Sequence, residues 1–60
     1  MRGFIEVTAK GKPVLVNVGD IKVVSIDKDR GTYLLFGADR EVLLVAETYK
    51  EVTQKIREAV

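Results

Sequence analysis

Glycines at short intervals divide most of this chain into runs that are long enough only for short strands or single helical turns. Gly11, Gly19, Gly31 and Gly37 separate stretches in which β-branched and other apolar residues alternate with polar ones. Glycine suits turns because it adopts positive φ without steric cost, and it weakens the interior of a strand or helix. The spacing therefore predicts a series of short strands joined by tight turns.

Five segments are rich in valine, isoleucine, leucine and aromatic residues, as strands are. They cover residues 4–8, 14–18, 21–27, 32–36 and 41–45. The turns predicted between them lie at residues 10–13, 17–20, 28–31 and 37–40. We expect Asp20 to start a tight turn and Gly31 to take the positive-φ position of a bulged hairpin. Short connections join neighbouring antiparallel strands, so the pattern predicts a meander in chain order.

The hydrophobic period changes from two to about 3.6 residues after Val45, which indicates an amphipathic helix. One stripe of this helix carries Tyr49, Val52, Ile56, Ala59 and Val60. Thr48 and Glu51 have the spacing of a capping box, in which each side chain binds a free backbone N–H of the other residue. The sequence thus predicts one α+β domain over residues 1–60. Its expected form is an antiparallel five-stranded curled β-meander followed by one C-terminal amphipathic helix.

The composition excludes several kinds of chemistry. The chain has no cysteine and no histidine, so disulfides, zinc fingers, thiol catalysis and imidazole catalysis are absent. Ten basic and nine acidic residues are interspersed, without the basic excess typical of a dedicated nucleic-acid binder. No apolar run approaches the length of a transmembrane helix or a signal peptide. We expect a cytoplasmic protein that has no cofactor, no metal and no contact with a membrane.

The fourth and fifth predicted strands are apolar on both faces, whereas a strand with one face in water should alternate with polar residues. One face carries Leu34, Phe36, Leu43 and Val45. The other face carries Tyr33, Leu35, Val42 and Leu44. Five strands would span about 24 Å, and one helix about 10 Å across cannot cover both faces. Either the sheet curls into a barrel-like monomer or a second subunit covers the remaining face.

We favour the second subunit because a core this small is only marginally stable by itself. The simplest assembly is a two-fold homodimer, with Tyr33, Leu35, Val42 and Leu44 as the candidate oligomer or partner face. Another protein could also occupy this face or an unpaired strand edge. The leading functional hypothesis is therefore a small, non-enzymatic protein-interaction or accessory module.

The search for catalytic groups finds no combination of residues that indicates an enzyme. Ser25 has no histidine to activate it, and the segment 27–31 lacks the spacing of a calcium loop. Lys10, Lys12, Lys28 and Arg30 lie in two hairpin turns that a meander would place at the same end of the sheet. These four side chains are the candidate contacts for nucleic acid or another anion. DNA binding through these basic loops is therefore the second hypothesis.

The chain also resembles a known family over nearly its whole length. The segments Ile5-Glu6-Val7-Thr8, Gly11-Lys12-Pro13, Val16-Asn17-Val18, Asp20-Ile21 and Val24-Ser25-Ile26 are similar to the small FlbD-type flagellar and swarming proteins. The later turn at Gly37, the strand and the helix entered through Glu47-Thr48-Tyr49 fit the same pattern. The turn Gly-Ala-Asp-Arg and Ala46 depart from it. The resemblance implies a small accessory protein with no catalytic residues.

A second resemblance covers the stretch from Asp20 to Ile56, which is similar to the C-terminal half of a LytTR-type DNA-binding domain. That type of domain is β-rich, ends in a helix and reads DNA through loops and strands. This chain is too short to supply the whole of it. The resemblance implies DNA binding, and it supports the second hypothesis rather than the first.

Overall fold

All five predicted strands and the predicted helix are present in the computed structural model, which describes residues 3–37 and 41–60. The strands are β1 (Phe4–Ala9), β2 (Lys12–Asn17), β3 (Ile21–Asp27), β4 (Gly31–Phe36) and β5 (Glu41–Val45). The helix α1 spans Tyr49–Ala59. The α+β class and the antiparallel pairing are therefore confirmed. Most of the predicted turn at residues 37–40 lies outside the described residues.

The strands form two sheets, so the single curled five-stranded sheet is not confirmed. One sheet contains β1 and β2, and the other has the order β3-β4-β5. The chain leaves β2 through a short 3₁₀ helix, Val18–Asp20, in place of the tight hairpin turn expected at Asp20. The Asn17 side chain accepts a hydrogen bond from the backbone N–H of Gly19 at 3.0 Å, which stabilises this helical turn. Because a 3₁₀ turn does not reverse the chain as a hairpin does, β3 does not pair with β2.

The β1–β2 hairpin is closed by two residues, Lys10 and Gly11, between the paired residues Ala9 and Lys12. Their φ angles are 53° and 76°, and positive φ at both central positions is the requirement of a type I′ turn. This turn matches the twist of paired strands, which explains the close hairpin. The turn predicted at residues 10–13 is thus confirmed but is tighter, since Pro13 already belongs to β2.

The β3–β4 turn also follows the sequence expectation. Gly31 has a φ of 89° and pairs with Asp27, leaving three residues in the loop. One carboxylate oxygen of Asp27 accepts hydrogen bonds from the backbone N–H groups of Asp29 and Arg30, at 2.8 and 3.3 Å. Asp27 therefore stabilises the turn, which is the usual role of aspartate at this position.

Helix α1 begins with the predicted capping box. The Thr48 hydroxyl accepts a hydrogen bond from the N–H of Glu51 at 3.1 Å, and the Glu51 carboxylate accepts one from the N–H of Thr48 at 2.9 Å. Both bonds satisfy backbone donors that have no partner within the helix. In the described parts of the chain, no helix has the length and apolar character needed to cross a membrane.

The core lies between the two sheets and α1. Val7 of β1, Leu34 of β4 and Val52 of α1 are its fully buried side chains. The cluster also includes Ile5, Val16 and Val45. Each layer of the fold thus contributes one completely buried residue, and the layers are held together by the same small cluster.

Thr8 connects β1 to the segment between β5 and α1. Its backbone N–H and its hydroxyl donate to the two carboxylate oxygens of Glu47, at 2.8 and 3.0 Å. Its carbonyl oxygen accepts from the N–H of Ala46 at 2.8 Å. These three bonds, called the Thr8 clasp below, join the first sheet to the end of the second and to the start of the helix.

The Thr8 clasp also changes the acidity of Glu47. Partial burial by itself raises the pKa of this carboxyl, but hydrogen bonds from the backbone N–H of Thr8, from its own backbone and from the Thr8 hydroxyl lower it. The positive charge of Lys55 lowers it as well, and the net pKa lies below the ordinary value. The charged form of Glu47 is therefore favoured in the folded state.

Replacing Val52 by alanine should lower the free energy of unfolding by about 2 kcal/mol, because it removes two methyl groups from the centre of the core. Val60 is 80% exposed and is the matched control. Val60→Ala should change the free energy of unfolding by less than about 0.5 kcal/mol. Urea denaturation followed by circular dichroism measures both values. Equal losses in the two variants would contradict the assignment of the core.

Glu47→Gln should destabilise the fold by about 1 kcal/mol near neutral pH, because it removes a charged acceptor of the Thr8 clasp. This value is below the usual range for a hydrogen bond to a charged group, because the Glu47 carboxylate is only partly shielded from water. The folded pKa is lowered, so the contribution is complete above the unfolded pKa of about 4.3 and is lost as the pH falls below it.

The difference in unfolding free energy between the native chain and Glu47→Gln should therefore be constant above about pH 5 and shrink as the pH falls from about 5 to about 3. Urea titrations at several pH values measure it, with the exposed Glu6→Gln on the same strand as Thr8 as the control. A difference that is constant with pH would show that the ionised carboxylate does not stabilise the fold.

Candidate functional site

The face of the β3-β4-β5 sheet that points away from the core is accessible and mostly apolar, with Ser25, which pairs with Tyr33, as a polar residue on it. Its side chains form direct cross-strand pairs, Tyr33 with Leu44 and Leu35 with Val42, and Val23 also pairs with Leu35. Val42 is 57% exposed, Val23 43% and Leu44 41%, while Tyr33 and Leu35 are half-buried. We call these five residues the outer face. It contains all four residues that the sequence indicated for an oligomer or partner surface.

The outer face is uncovered because the helix lies on the opposite side of the sheet. Val52 of α1 belongs to the same buried cluster as Leu34 and Val45, whose side chains point away from the outer face. Strands β4 and β5 carry apolar residues at nearly every position, so both of their faces are hydrophobic. One helix can pack on only one of them, and the first sheet shares that same side.

Val23 was not among the predicted residues, and a β-bulge explains why. The register pairs Ile21 with Phe36 and then Val23 with Leu35, which leaves Lys22 as the extra residue of β3. Strict alternation from Ile21 would place Val23 on the core side. The bulge reverses the orientation, so that Val24 packs against the core and Val23 joins the outer face. No residue pattern in this segment marks the bulge.

Two of the predicted basic residues, Lys10 and Lys12, belong to the β1–β2 hairpin, and the other two, Lys28 and Arg30, belong to the β3–β4 turn. Lys10 and Lys12 line a groove beside β5, together with Val42 and Leu44. Lys28 and Arg30 are exposed on the β3–β4 turn, next to the exposed Asp29. Nucleic-acid or anion binding by these side chains stays a prediction from the sequence.

The groove runs between β2 and β5. One half has a volume of 490 Å³ and contains Lys10 and Lys12, and the other has 470 Å³ and contains Asp20 and Glu41. Val14 and Leu43 line both halves, so the two halves adjoin each other. This groove is not expected from the sequence, because a meander pairs all five strands in one sheet.

The residues considered for chemistry have structural surroundings. Ser25 is half-buried in β3 and pairs with Tyr33, and Asp27 stabilises its own turn. Among residues 3–37 and 41–60, no three carboxylates lie close enough together to hold a metal ion. Glu47, the carboxyl with a lowered pKa, already binds Thr8. The surfaces described above are therefore the better candidates for a functional site.

Comparison with known proteins finds no matching family model, no matching curated protein and no matching solved structure. The resemblances to FlbD-type proteins and to part of a LytTR-type domain accordingly stay predictions. The functional argument depends on the geometry of the surfaces.

Proposed function

We propose that this chain is a non-enzymatic protein-interaction module that forms a two-fold homodimer through its outer face. The observation that carries the proposal is the group of five apolar side chains in register on one exposed sheet face. Burial of such a face in a second copy removes apolar surface from water, and this is the main favourable term in association. A two-fold axis would bring the same patch of each subunit together.

The size of the outer face sets the expected strength of the dimer. Three strands of about five residues form a face about 14 Å wide and about 17 Å long. Stable interfaces usually bury about 800 Å² per partner, which is about one sixth of the 4586 Å² surface of this chain. The outer face is smaller than this, so we expect a dissociation constant in the micromolar range and an equilibrium that depends on concentration.

The proposal agrees with the accessory role that the resemblance to FlbD-type proteins implies. It also accounts for a feature that folding of the single chain does not require. Val42 and Leu44 contribute little to the core because they point away from it, yet both are large and apolar. Polar residues at these positions would keep a monomer equally stable and more soluble.

Leu44→Lys should shift the dimer toward monomer by at least about tenfold in dissociation constant, because it places a charge inside the apolar interface. Ile26→Lys is the control: Ile26 is 61% exposed, but it pairs with Thr32 and lies outside the outer face. Light scattering over a concentration series up to about 1 mM, the upper end of weak association, measures the mass. Circular dichroism verifies that both variants are folded.

The native chain and Ile26→Lys should approach twice the monomer mass of 6.7 kDa, while Leu44→Lys stays near that mass. A native chain that is monomeric over the whole series would overturn the proposal. So would a mass that rises only when duplex DNA is added and falls again with salt, since that result would assign the function to the basic loops.

A further inference from the structure

The groove between β2 and β5 is bordered by two strand edges that pair with no other strand among the described residues. β2 pairs only with β1, and β5 is the last strand of its sheet. Adjacent hydrogen-bonded strands lie about 4.8 Å apart. The Cα atoms of β2 and β5 are almost everywhere more than 8 Å apart, so the two edges cannot bond to each other. A strand that pairs with both edges requires them to be about twice the strand spacing apart, about 9.6 Å.

The lining of the groove is suited to an extended chain. Val14, Val16, Phe36 and Leu43 provide an apolar floor in the middle. The two ends carry opposite charges, Lys10 and Lys12 at one and Asp20 and Glu41 at the other. An occupant with a carboxylate at the lysine end and a basic group at the acidic end is therefore complementary to the groove.

The two edges differ in their ability to form hydrogen bonds. The two-residue hairpin makes Ala9 and Lys12 a hydrogen-bonded pair, and such pairs alternate along antiparallel strands. The nitrogen of Pro13 therefore faces away from β1, and its missing N–H removes one donor from the free edge of β2. β5 contains no proline and has its full set of donors. The stronger, antiparallel pairing is therefore expected along β5.

We propose that the groove binds an extended peptide segment of a partner protein as an added strand between β2 and β5. The segment alternates apolar and small polar residues, with an acidic residue before them and a basic residue after them. Antiparallel to β5, it places its acidic residue near Lys12 and its basic residue near Glu41. This site lies along the edge of β5 and shares Val42 and Leu44 with the outer face. Val23 belongs to the outer face alone, so a variant at Val23 distinguishes the failure of one proposal from the failure of the other.

The test uses two dye-labelled peptides with blocked ends. The first has the sequence Glu-Val-Thr-Val-Thr-Val-Lys, and in the second the glutamate and the lysine are exchanged. Fluorescence anisotropy with the native chain should show at least about tenfold tighter binding of the first peptide, as expected when like charges meet in the second complex. Failure of both peptides to bind at about 1 mM protein would overturn the proposal.

The double variant Lys12→Glu/Glu41→Lys leaves one positive and one negative side chain at each end of the groove, so it should bind the two peptides with equal affinity. A variant that had merely lost its fold would bind neither peptide, so circular dichroism is recorded in parallel. Equal affinity for both peptides in the native chain, or a preference for the first peptide that the folded double variant retains, would overturn the proposed complementarity.

Val23→Lys separates this site from the dimer. Val23 belongs to the outer face but does not line the groove. The variant should keep the native preference for the first peptide even where light scattering finds it monomeric. Loss of that preference in folded Val23→Lys would show that the peptide binds the outer face or the dimer, and would overturn the assignment to the groove.

Discussion

The Thr8 clasp is the contact on which the arrangement of the two sheets depends. A two-stranded hairpin such as β1–β2 is at best marginally stable by itself. Thr8 gives this hairpin three hydrogen bonds to Ala46 and Glu47, in addition to its share of the core. The same bonds fix the residue before the helix cap, so the direction of α1 and the position of the first sheet are set together. The open groove and the uncovered outer face both follow from that arrangement.

The outer face is exposed because the helix and the first sheet both pack on the other side of β4 and β5. The core has one fully buried residue from β1, one from β4 and one from α1, and these three elements enclose a single small volume. Among residues 3–37 and 41–60 the one α-helix is α1, and it packs on the core side of β4 and β5. The apolar residues on the outer side of these two strands therefore stay exposed to water when a single copy folds.

Local chemistry allowed much of the fold to be predicted from the sequence. The strands, the Thr48–Glu51 capping box and the positive φ of Gly31 depend on neighbouring residues, and all are present. The grouping of Tyr33 with Leu44 followed from alternation alone. The contact between Thr8 and Glu47 joins residues 39 positions apart, and no local pattern marks such a pair. The separation into two sheets and the bulge at Lys22 were missed for the same reason.

The same division between local and distant contacts has a kinetic consequence. Each hairpin joins strands that are adjacent in the chain, and hairpins form in about 1–10 μs. Closing the long loop between Thr8 and Glu47 costs more chain entropy, so docking of the first hairpin is expected to follow formation of the three-stranded sheet. Until that step, the edges of β1, β2 and β5 are all open to pairing with another chain. Pro13 then acts as a permanent interruption on one of these edges and limits the growth of misassembled sheets during folding.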